Sequence, residues 1–256
     1  MLEKQRLLLL PGFGEDERIF RNVINYFGAY DVEVLDYSDV LPFFSYKSIQ
    51  LQSFIEAIIK SYDISAKDIL IGHSLGGFIA HHIRQAVGCP ICMHSSFTDP
   101  AKIKVLIGNK FLIKKTIRNG LFRSSMFKKG ARLLHSADAS KEDMEHVLEK
   151  LGNYGSANIL KLVYLFFNRK KRFLNWLRSN PDYDFLPNLI IHPKSDNIVN
   201  PPDEDYFEVN GNHFSISTHP QQSIFIISNW LRELQQQSKI QPFSFKSERS
   251  PLKVAG

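Results

Sequence analysis

The stretch from Ile69 to Phe78 places the pattern Gly-x-Ser-x-Gly between an apolar run and a segment of helical periodicity. The two glycines, Gly72 and Gly76, lack a Cβ and allow the strand and helix backbones to approach closely at a sharp turn. A serine at such a turn projects its hydroxyl from the end of the strand, beside the unpaired N–H groups that begin the helix. The sequence therefore predicts a strand, a serine with a projecting hydroxyl (Ser74) and a helix in direct succession.

Apolar and amphipathic segments alternate along the first hundred residues and again near the end of the chain. Strands are predicted at residues 5–10, 31–37, 68–71, 90–94, 188–192 and 205–209, and helices at 16–27, 45–62, 75–87 and 220–236. Ser45 or Ser48 is expected to cap the second helix. Strands that alternate with helices form parallel βαβ units. The sequence therefore predicts an α/β fold, with helices on both faces of a mostly parallel sheet.

The alternation stops between residues 100 and 180, where the recognisable segments are helix-like, at 101–118, 141–151 and 159–177. An all-helical insertion between two strands is typical of a cap that closes over the edge of the sheet where ligands bind. The predicted domains are a core formed by residues 1–99 and 181–237, the helical cap at 100–180, and a mobile or loosely docked polar tail at 238–256.

A serine hydroxyl becomes an effective nucleophile when a base removes its proton and a carboxylate orients that base. Asp196 follows the predicted strand at residues 188–192, and His213 follows the next strand in a loop rich in glycine and asparagine. Asp99, which follows an earlier strand, is the alternative acid. The Asp-x-Ile-Val context favours Asp196, so the candidate set is Ser74, Asp196 and His213.

With these pieces in place, the chain resembles the small, capped, esterase-like branch of the α/β-hydrolase superfamily. The matching segments are Leu10-Pro11-Gly12-Phe13-Gly14, Gly72-His73-Ser74-Leu75-Gly76, Ser195-Asp196-Asn197-Ile198-Val199 and Gly211-Asn212-His213-Phe214. The resemblance implies Ser74 as nucleophile, His213 as general base and then acid, and Asp196 as the orienting carboxylate. It also implies an oxyanion hole formed by the backbone N–H groups of Phe13 and Leu75.

The chain departs from the superfamily in two respects. Pro11-Gly12 stands where His-Gly is frequent, but a backbone donor does not depend on that histidine. The chain also begins directly at the first predicted strand, without the antiparallel hairpin that often comes first. A smaller sheet is therefore expected.

The neighbouring histidines and both cysteines are interpreted as structural. His73 is expected to point into packing, and His81 and His82 do not converge on one metal ion from consecutive helical positions. Cys89 and Cys92 have C-x-x-C spacing, but they lead into a predicted strand rather than a helix, which favours core packing. No metal and no cofactor are predicted.

The predicted cap is strongly basic, with 18 Lys/Arg and 5 Asp/Glu in residues 100–180 of a chain whose net charge is +6. Two interpretations account for this pattern equally well. The basic residues form a solvated outer face, or they attract an anion, which would be an anionic substrate, an acyl carrier or an anionic membrane surface. No nucleic-acid module is recognisable, and nucleic acid is not an expected partner. No signal peptide or membrane span is recognisable, so a cytoplasmic location is expected.

The sequence thus predicts a serine hydrolase that cleaves a small-molecule carboxylic ester or thioester through an acyl-enzyme. The aromatic cap residues Tyr164, Phe166, Phe167 and Trp176 favour an apolar acyl or alkyl group. The same fold supports two alternatives. One is a lyase or carbon–carbon bond hydrolase acting on a small anionic metabolite, and the other is a ligand sensor whose triad turns over slowly.

Overall fold

The computed structural model describes residues 5–45, 49–104 and 188–240, together with residues 149, 158, 159, 161 and 162. The strands are β1 (Arg6–Leu10), β2 (Asp31–Val34), β3 (Ile69–His73), β4 (Ile91–His94), β5 (Asn188–Pro193) and β6 (Phe207–Val209). They form one sheet in the order β2-β1-β3-β4-β5-β6, and every neighbouring pair is parallel. The predicted parallel α/β sheet is confirmed.

The α-helices whose bounds are described are α1 (Arg21–Tyr26), α2 (Leu51–Ser61), α3 (Leu75–Val87), α4 (Ser215–Thr218) and α5 (Pro220–Ile240). None of them combines the length and the apolar character needed to cross a bilayer. The helix predicted at residues 16–27 is split into a 3₁₀ turn, Glu17–Phe20, followed by α1. Helix α2 has Gln50 at its N-cap, without a side-chain cap, so the predicted serine cap is wrong.

Four consecutive leucines show why helices cover both faces of the sheet. Leu7 to Leu10 are fully buried, and successive side chains of a strand point to opposite faces. Leu7 and Leu9 belong to a core cluster with residues of α1 and α5, whereas Leu8 and Leu10 belong to a second cluster with residues of α2 and α3. A strand that is buried on both faces reads as a continuous apolar run, which is typical of parallel sheets.

Both cysteines lie in this core. They are free thiols, and Cys89 and Cys92 contribute to opposite core clusters. Burial raises the pKa of Cys89 to about 12 and also raises the pKa of Cys92. The prediction that the C-x-x-C spacing reflects packing is confirmed, because neither thiol is ionised near neutral pH.

The first residues of the insertion are tied to the loop after β5. Ile103 forms an antiparallel bridge with Val199, and Lys104 N–H donates to the Ile198 carbonyl at 2.8 Å. Lys102 lies in a 3₁₀ turn, so the α-helix predicted from residue 101 does not begin there. Most of the predicted cap, and residues 241–256 of the predicted tail, fall outside the described residues.

The junction of β3 and α3 leaves no space for side chains on its glycines. A Cβ on Gly76 would lie 1.8 Å from the carbonyl oxygen of Leu10, and a Cβ on Gly72 would lie 2.4 Å from the carbonyl carbon of Gly76. Both obstacles are backbone atoms, which cannot rotate away as a side chain can. The predicted close approach at these two glycines is therefore confirmed.

We predict that Gly76→Ala lowers the free energy of unfolding by at least the roughly 1–3 kcal/mol typical of overpacking. Gly28→Ala is the matched control, because a Cβ on Gly28 meets nothing within 4 Å. The control should stay within about 0.5 kcal/mol of the wild type, as exposed substitutions usually do. Urea unfolding followed by circular dichroism measures both, and equal stabilities of the two variants would contradict the tight junction.

Candidate active site

Ser74 lies between β3 and α3 with a backbone φ of 51° and ψ of −117°. A positive φ in a non-glycine residue costs on the order of 1–3 kcal/mol and persists only where the surroundings enforce it. Ser74 N–H donates to the His94 carbonyl at 3.0 Å. The Ser74 carbonyl accepts from Ser96 Oγ at 2.6 Å and from Gly77 N–H at 3.1 Å. The strained turn is thus held at both ends of the serine backbone.

The loops after β5 and β6 bring Asp196 and His213 into direct contact. His213 Nδ1 donates to Asp196 Oδ2 at 2.9 Å, and both residues are buried. Asp196 Oδ1 accepts the N–H groups of Ile198 at 2.8 Å and Val199 at 2.9 Å. Burial alone would raise the pKa of Asp196, but the His213 charge and these hydrogen bonds outweigh it and lower the pKa. The carboxylate therefore stays ionised, and among the described residues Nε2 of His213 has no hydrogen-bond partner.

Asp99, the alternative acid, lies elsewhere. Its side chain is exposed, and its Oδ1 accepts the N–H of Ala101 at 2.8 Å in a local turn. The carboxylate that contacts His213 is therefore that of Asp196.

The His213 ring also lies near the serine turn. Its centroid is 4.9 Å from that of His73, the residue immediately before Ser74. No hydrogen bond between Ser74 Oγ and His213 Nε2 is formed among the described residues. Contacts of this kind are often long in a free enzyme and tighten only in the reacting complex. The serine and the His–Asp pair therefore lie at the same edge of the sheet, where the strands end.

Two backbone N–H groups flank this edge. Phe13 lies in the loop after β1, and Leu75 is the first residue of α3, where helical N–H groups lack an intrahelical partner. Within the described part of the chain, no hydrogen bond engages either N–H. Tyr37 Oη holds the loop by donating to the Pro11 carbonyl at 2.9 Å. Both groups resemble the donors that an oxyanion needs.

His73 is fully buried, which confirms that it points into the packed interior, and it also makes two polar contacts that were not predicted. His73 Nδ1 lies 2.7 Å from Glu15 Oε2, and His73 Nε2 lies 2.8 Å from the carbonyl oxygen of His213. Glu15 Oε2 also accepts the Gly12 N–H at 2.6 Å. Burial alone would lower the pKa of His73, but the Glu15 charge and hydrogen bond outweigh it and raise the pKa. Glu15 was missed because its partner lies 58 positions away, and its closeness to the Pro11-Gly12 loop was the one available signal.

Among the described residues, Glu15, His73 and His213 form the group that most resembles a metal site. Each offers one ligand atom, and these atoms lie within 4.8 Å of one another. However, the 2.7 Å between Nδ1 of His73 and Oε2 of Glu15 is a hydrogen-bond distance. Neighbouring ligands of tetrahedral zinc, with bonds of about 2.0–2.1 Å, lie roughly 3.3 Å apart. We therefore interpret the group as a hydrogen-bonded network.

A further histidine, His94, is fully buried beside this network. Its Nδ1 contacts Ser95 Oγ at 3.0 Å, and its Nε2 contacts Ser223 Oγ at 2.9 Å. Burial, together with the charges of His73 and His213, lowers the pKa of His94 well below its usual value. His94 is therefore neutral in the folded protein near neutral pH.

No family model matches the chain, and no curated protein matches it significantly. An esterase from Thermogutta terrifontis has a TM-score of 0.63 at 12% identity, covering 89% of this chain and 89% of its own. An epoxide hydrolase from Bacillus megaterium has a TM-score of 0.60 at 15% identity, covering 89% of this chain and 93% of its own. A bromoperoxidase from Bacillus anthracis has a TM-score of 0.63 at 15% identity, covering 90% and 92%.

All three similar proteins are members of the α/β-hydrolase superfamily. The chain therefore has the α/β-hydrolase fold that the motifs predict.

We predict that His94→Gln flattens the dependence of unfolding free energy on pH. In the wild type, the unfolded chain gains a proton at this histidine near pH 6.5 while the folded chain does not, so stability falls as pH falls through that value. One such group contributes a slope of up to about 1.36 kcal/mol per pH unit. Glutamine gains no proton, so the variant lacks this slope.

Urea unfolding at several values between about pH 7 and pH 5 covers the range in which an ordinary histidine titrates. His219→Gln, the same substitution at an exposed position, is the matched control for the replacement of a histidine by glutamine. Identical slopes for His94→Gln and the wild type would contradict a neutral buried His94.

Proposed function

We propose that the protein is a serine hydrolase that cleaves a carboxylic ester or thioester with an apolar acyl or alkyl group. The observation that carries the proposal is Ser74 in a positive-φ turn at the edge where Asp196 holds His213 by its Nδ1. The esterase and the epoxide hydrolase of similar fold are hydrolases by name, which supports the broader class.

In the proposed reaction, Ser74 Oγ attacks the carbonyl carbon while His213 Nε2 takes its proton. The N–H groups of Phe13 and Leu75 donate to the oxyanion of the tetrahedral intermediate. His213 then gives the proton to the departing alcohol or thiol, which leaves an ester on Ser74. A water molecule, deprotonated by His213, then attacks this ester. The carboxylic acid is released, and His213 returns the proton to Ser74 Oγ.

The electrostatics of Asp196 support this cycle. Its carboxylate is ionised and accepts a hydrogen bond from the Nδ1–H of His213, so the imidazole keeps the tautomer in which Nε2 can accept a proton. When Nε2 takes the serine proton, the adjacent carboxylate stabilises the imidazolium. The N–H groups of Ile198 and Val199 keep the carboxylate from turning away.

We also propose that the basic cap recognises an anion. The proposed substrate is a small molecule, and the proposal involves no cofactor and no nucleic-acid partner. The described lysines at the start of the insertion already have partners within the protein. Lys102 Nζ pairs with Asp203, and Lys104 Nζ donates to the Asp196 carbonyl at 2.5 Å. Attraction of an anionic substrate, acyl carrier or membrane surface would therefore fall to the later basic residues of the insertion.

We predict that Ser74→Ala lowers kcat for p-nitrophenyl ester hydrolysis by roughly 10⁴-fold or more, as loss of the nucleophile does in other triads. Ser53→Ala, on the exposed face of α2, is the matched control and should keep wild-type activity. A fluorophosphonate should add covalently to the wild type at Ser74 and not to the variant, as measured by mass spectrometry of the intact protein and its peptides.

The same ester panel, from short to long acyl chains, separates the alternatives. Hydrolysis that survives Ser74→Ala would overturn the proposal. Background hydrolysis combined with tight binding of the ester would favour the ligand sensor, and cleavage of carbon–carbon bonds without ester hydrolysis would favour the lyase or related hydrolase.

We predict that Phe13→Pro lowers kcat by about 10²–10³-fold, because proline lacks the N–H that is proposed to bind the oxyanion. Phe13→Ala keeps that N–H and should lose far less. The comparison uses kcat for one ester at saturating concentration, with circular dichroism to establish folding. Equal kcat values for the two variants would remove Phe13 from the oxyanion hole.

A further inference from the structure

A second carboxylate–imidazole pair, Glu15 and His73, lies behind the proposed triad and takes no part in the reaction described above. His73 is fully buried and Glu15 is 5% exposed. Three consecutive hydrogen bonds link Gly12 N–H to Glu15, Glu15 to His73, and His73 to the carbonyl of His213, at 2.6, 2.7 and 2.8 Å. The pair therefore connects the loop after β1 with the loop after β6.

The partners of His73 determine where its protons are. The carbonyl oxygen of His213 can only accept, so His73 Nε2 must carry a proton to make its 2.8 Å contact. The 2.7 Å contact between Nδ1 and Glu15 Oε2 holds a second proton. Two arrangements contain both protons: an imidazolium beside a carboxylate, or a neutral imidazole beside a protonated carboxyl group.

The surroundings favour the ionised arrangement. Gly12 N–H donates to the same Oε2, which stabilises a carboxylate, and the carboxylate raises the pKa of His73 despite its burial. Asp196 adds a further attraction for a positive charge at His73. Among the described residues, the other titratable groups that face the ring are His94, at 5.9 Å between centroids, and His213. His94 is neutral and does not oppose the charge.

We infer that Glu15 and His73 form a buried carboxylate–imidazolium pair that positions the oxyanion loop and the His213 loop relative to each other. The inference rests on the proposed function. Glu15 engages the N–H of Gly12 and leaves the next N–H, that of Phe13, for the oxyanion. His73 holds the backbone of His213 through its carbonyl oxygen. Both are positioning residues, because neither contacts the reacting atoms.

Gly12 is part of the same arrangement. A Cβ on Gly12 would lie 2.5 Å from Glu15 Oε2 and 2.7 Å from its carboxyl carbon. The carboxylate can therefore approach the Gly12 backbone only because position 12 has no side chain. The glycine at position 12 of the loop after β1 is therefore needed for Glu15 to reach its position beside His73.

The first test is nitrogen NMR of the histidine rings in the ¹⁵N-labelled wild-type protein at about pH 8.5, roughly two units above the usual histidine pKa of about 6.5. Both ring nitrogens of His73 should be protonated, with the signals assigned by through-bond correlation to the backbone. One unprotonated ring nitrogen on His73 at this pH would overturn the charged pair.

The second test compares Glu15→Gln with Glu17→Gln, an exposed acid in the same segment. Glutamine keeps the size of Glu15 and an acceptor for Gly12 but removes the charge that holds the extra proton on His73. We expect kcat of Glu15→Gln to fall by about 10²-fold, the scale of one misplaced oxyanion donor, with KM changed less than about three-fold. His73 should then be neutral at the pH of the first test, and Glu17→Gln should match the wild type in both measurements.

The outcomes separate this inference from the proposed function. If hydrolysis does not depend on Ser74, the proposed function and the catalytic part of the inference both fail, and the NMR result alone decides whether the charged pair exists. If hydrolysis depends on Ser74 but Glu15→Gln and Glu17→Gln share one kcat, the positioning role is overturned. If Glu15→Gln does not fold, the protonation of His73 in the wild type decides the inference.

Discussion

The contact on which the structure depends is that of backbone against backbone where α3 begins. Gly76 lies against the carbonyl of Leu10, and Gly72 lies against Gly76, at distances that exclude any Cβ. Ser74 lies between these two glycines with a positive φ, Leu75 begins α3 directly after it, and Gly76 lies against the carbonyl groups of Leu10 and Pro11. The serine, the helix N-terminus and the first loop are therefore placed by one close approach, before any side chain contributes.

Two carboxylate–imidazole pairs meet at this edge, and they differ in which nitrogens of the imidazole ring are hydrogen-bonded. Asp196 occupies one nitrogen of His213, and no residue in the described part of the chain bonds the other, which is the nitrogen that the proposed proton transfer uses. Glu15 and the His213 carbonyl occupy both nitrogens of His73, so no position on that ring can exchange a proton with a substrate. A carboxylate and an imidazole are thus proposed to serve for chemistry in one pair and for placement in the other.

Much of this arrangement follows from local sequence, and the remainder depends on distant contacts. The parallel sheet and α3 are predicted because apolar periodicity reports burial directly. Contact between Asp196 and His213 was predictable because each follows a strand that ends at the same edge. The polar contacts of His73 were not predictable, because the residues around it in the sequence do not indicate a partner as distant as Glu15, 58 positions away. The Gln50 cap was missed because packing of an amphipathic face can begin a helix without a side-chain cap.

The bridge between Ile103 and Val199 has a consequence for how the insertion could be exchanged among related folds. Next to this bridge, the N–H of Lys104 donates a hydrogen bond to the carbonyl of Ile198, and the N–H of Ile198 donates to the Asp196 carboxylate. The entry to the insertion and the loop of the acid are thereby one structural unit. A chimaera that carries a foreign insertion is best joined after residue 104, because such a junction keeps the bridge and the Lys104 hydrogen bond that hold the loop of Asp196 in place.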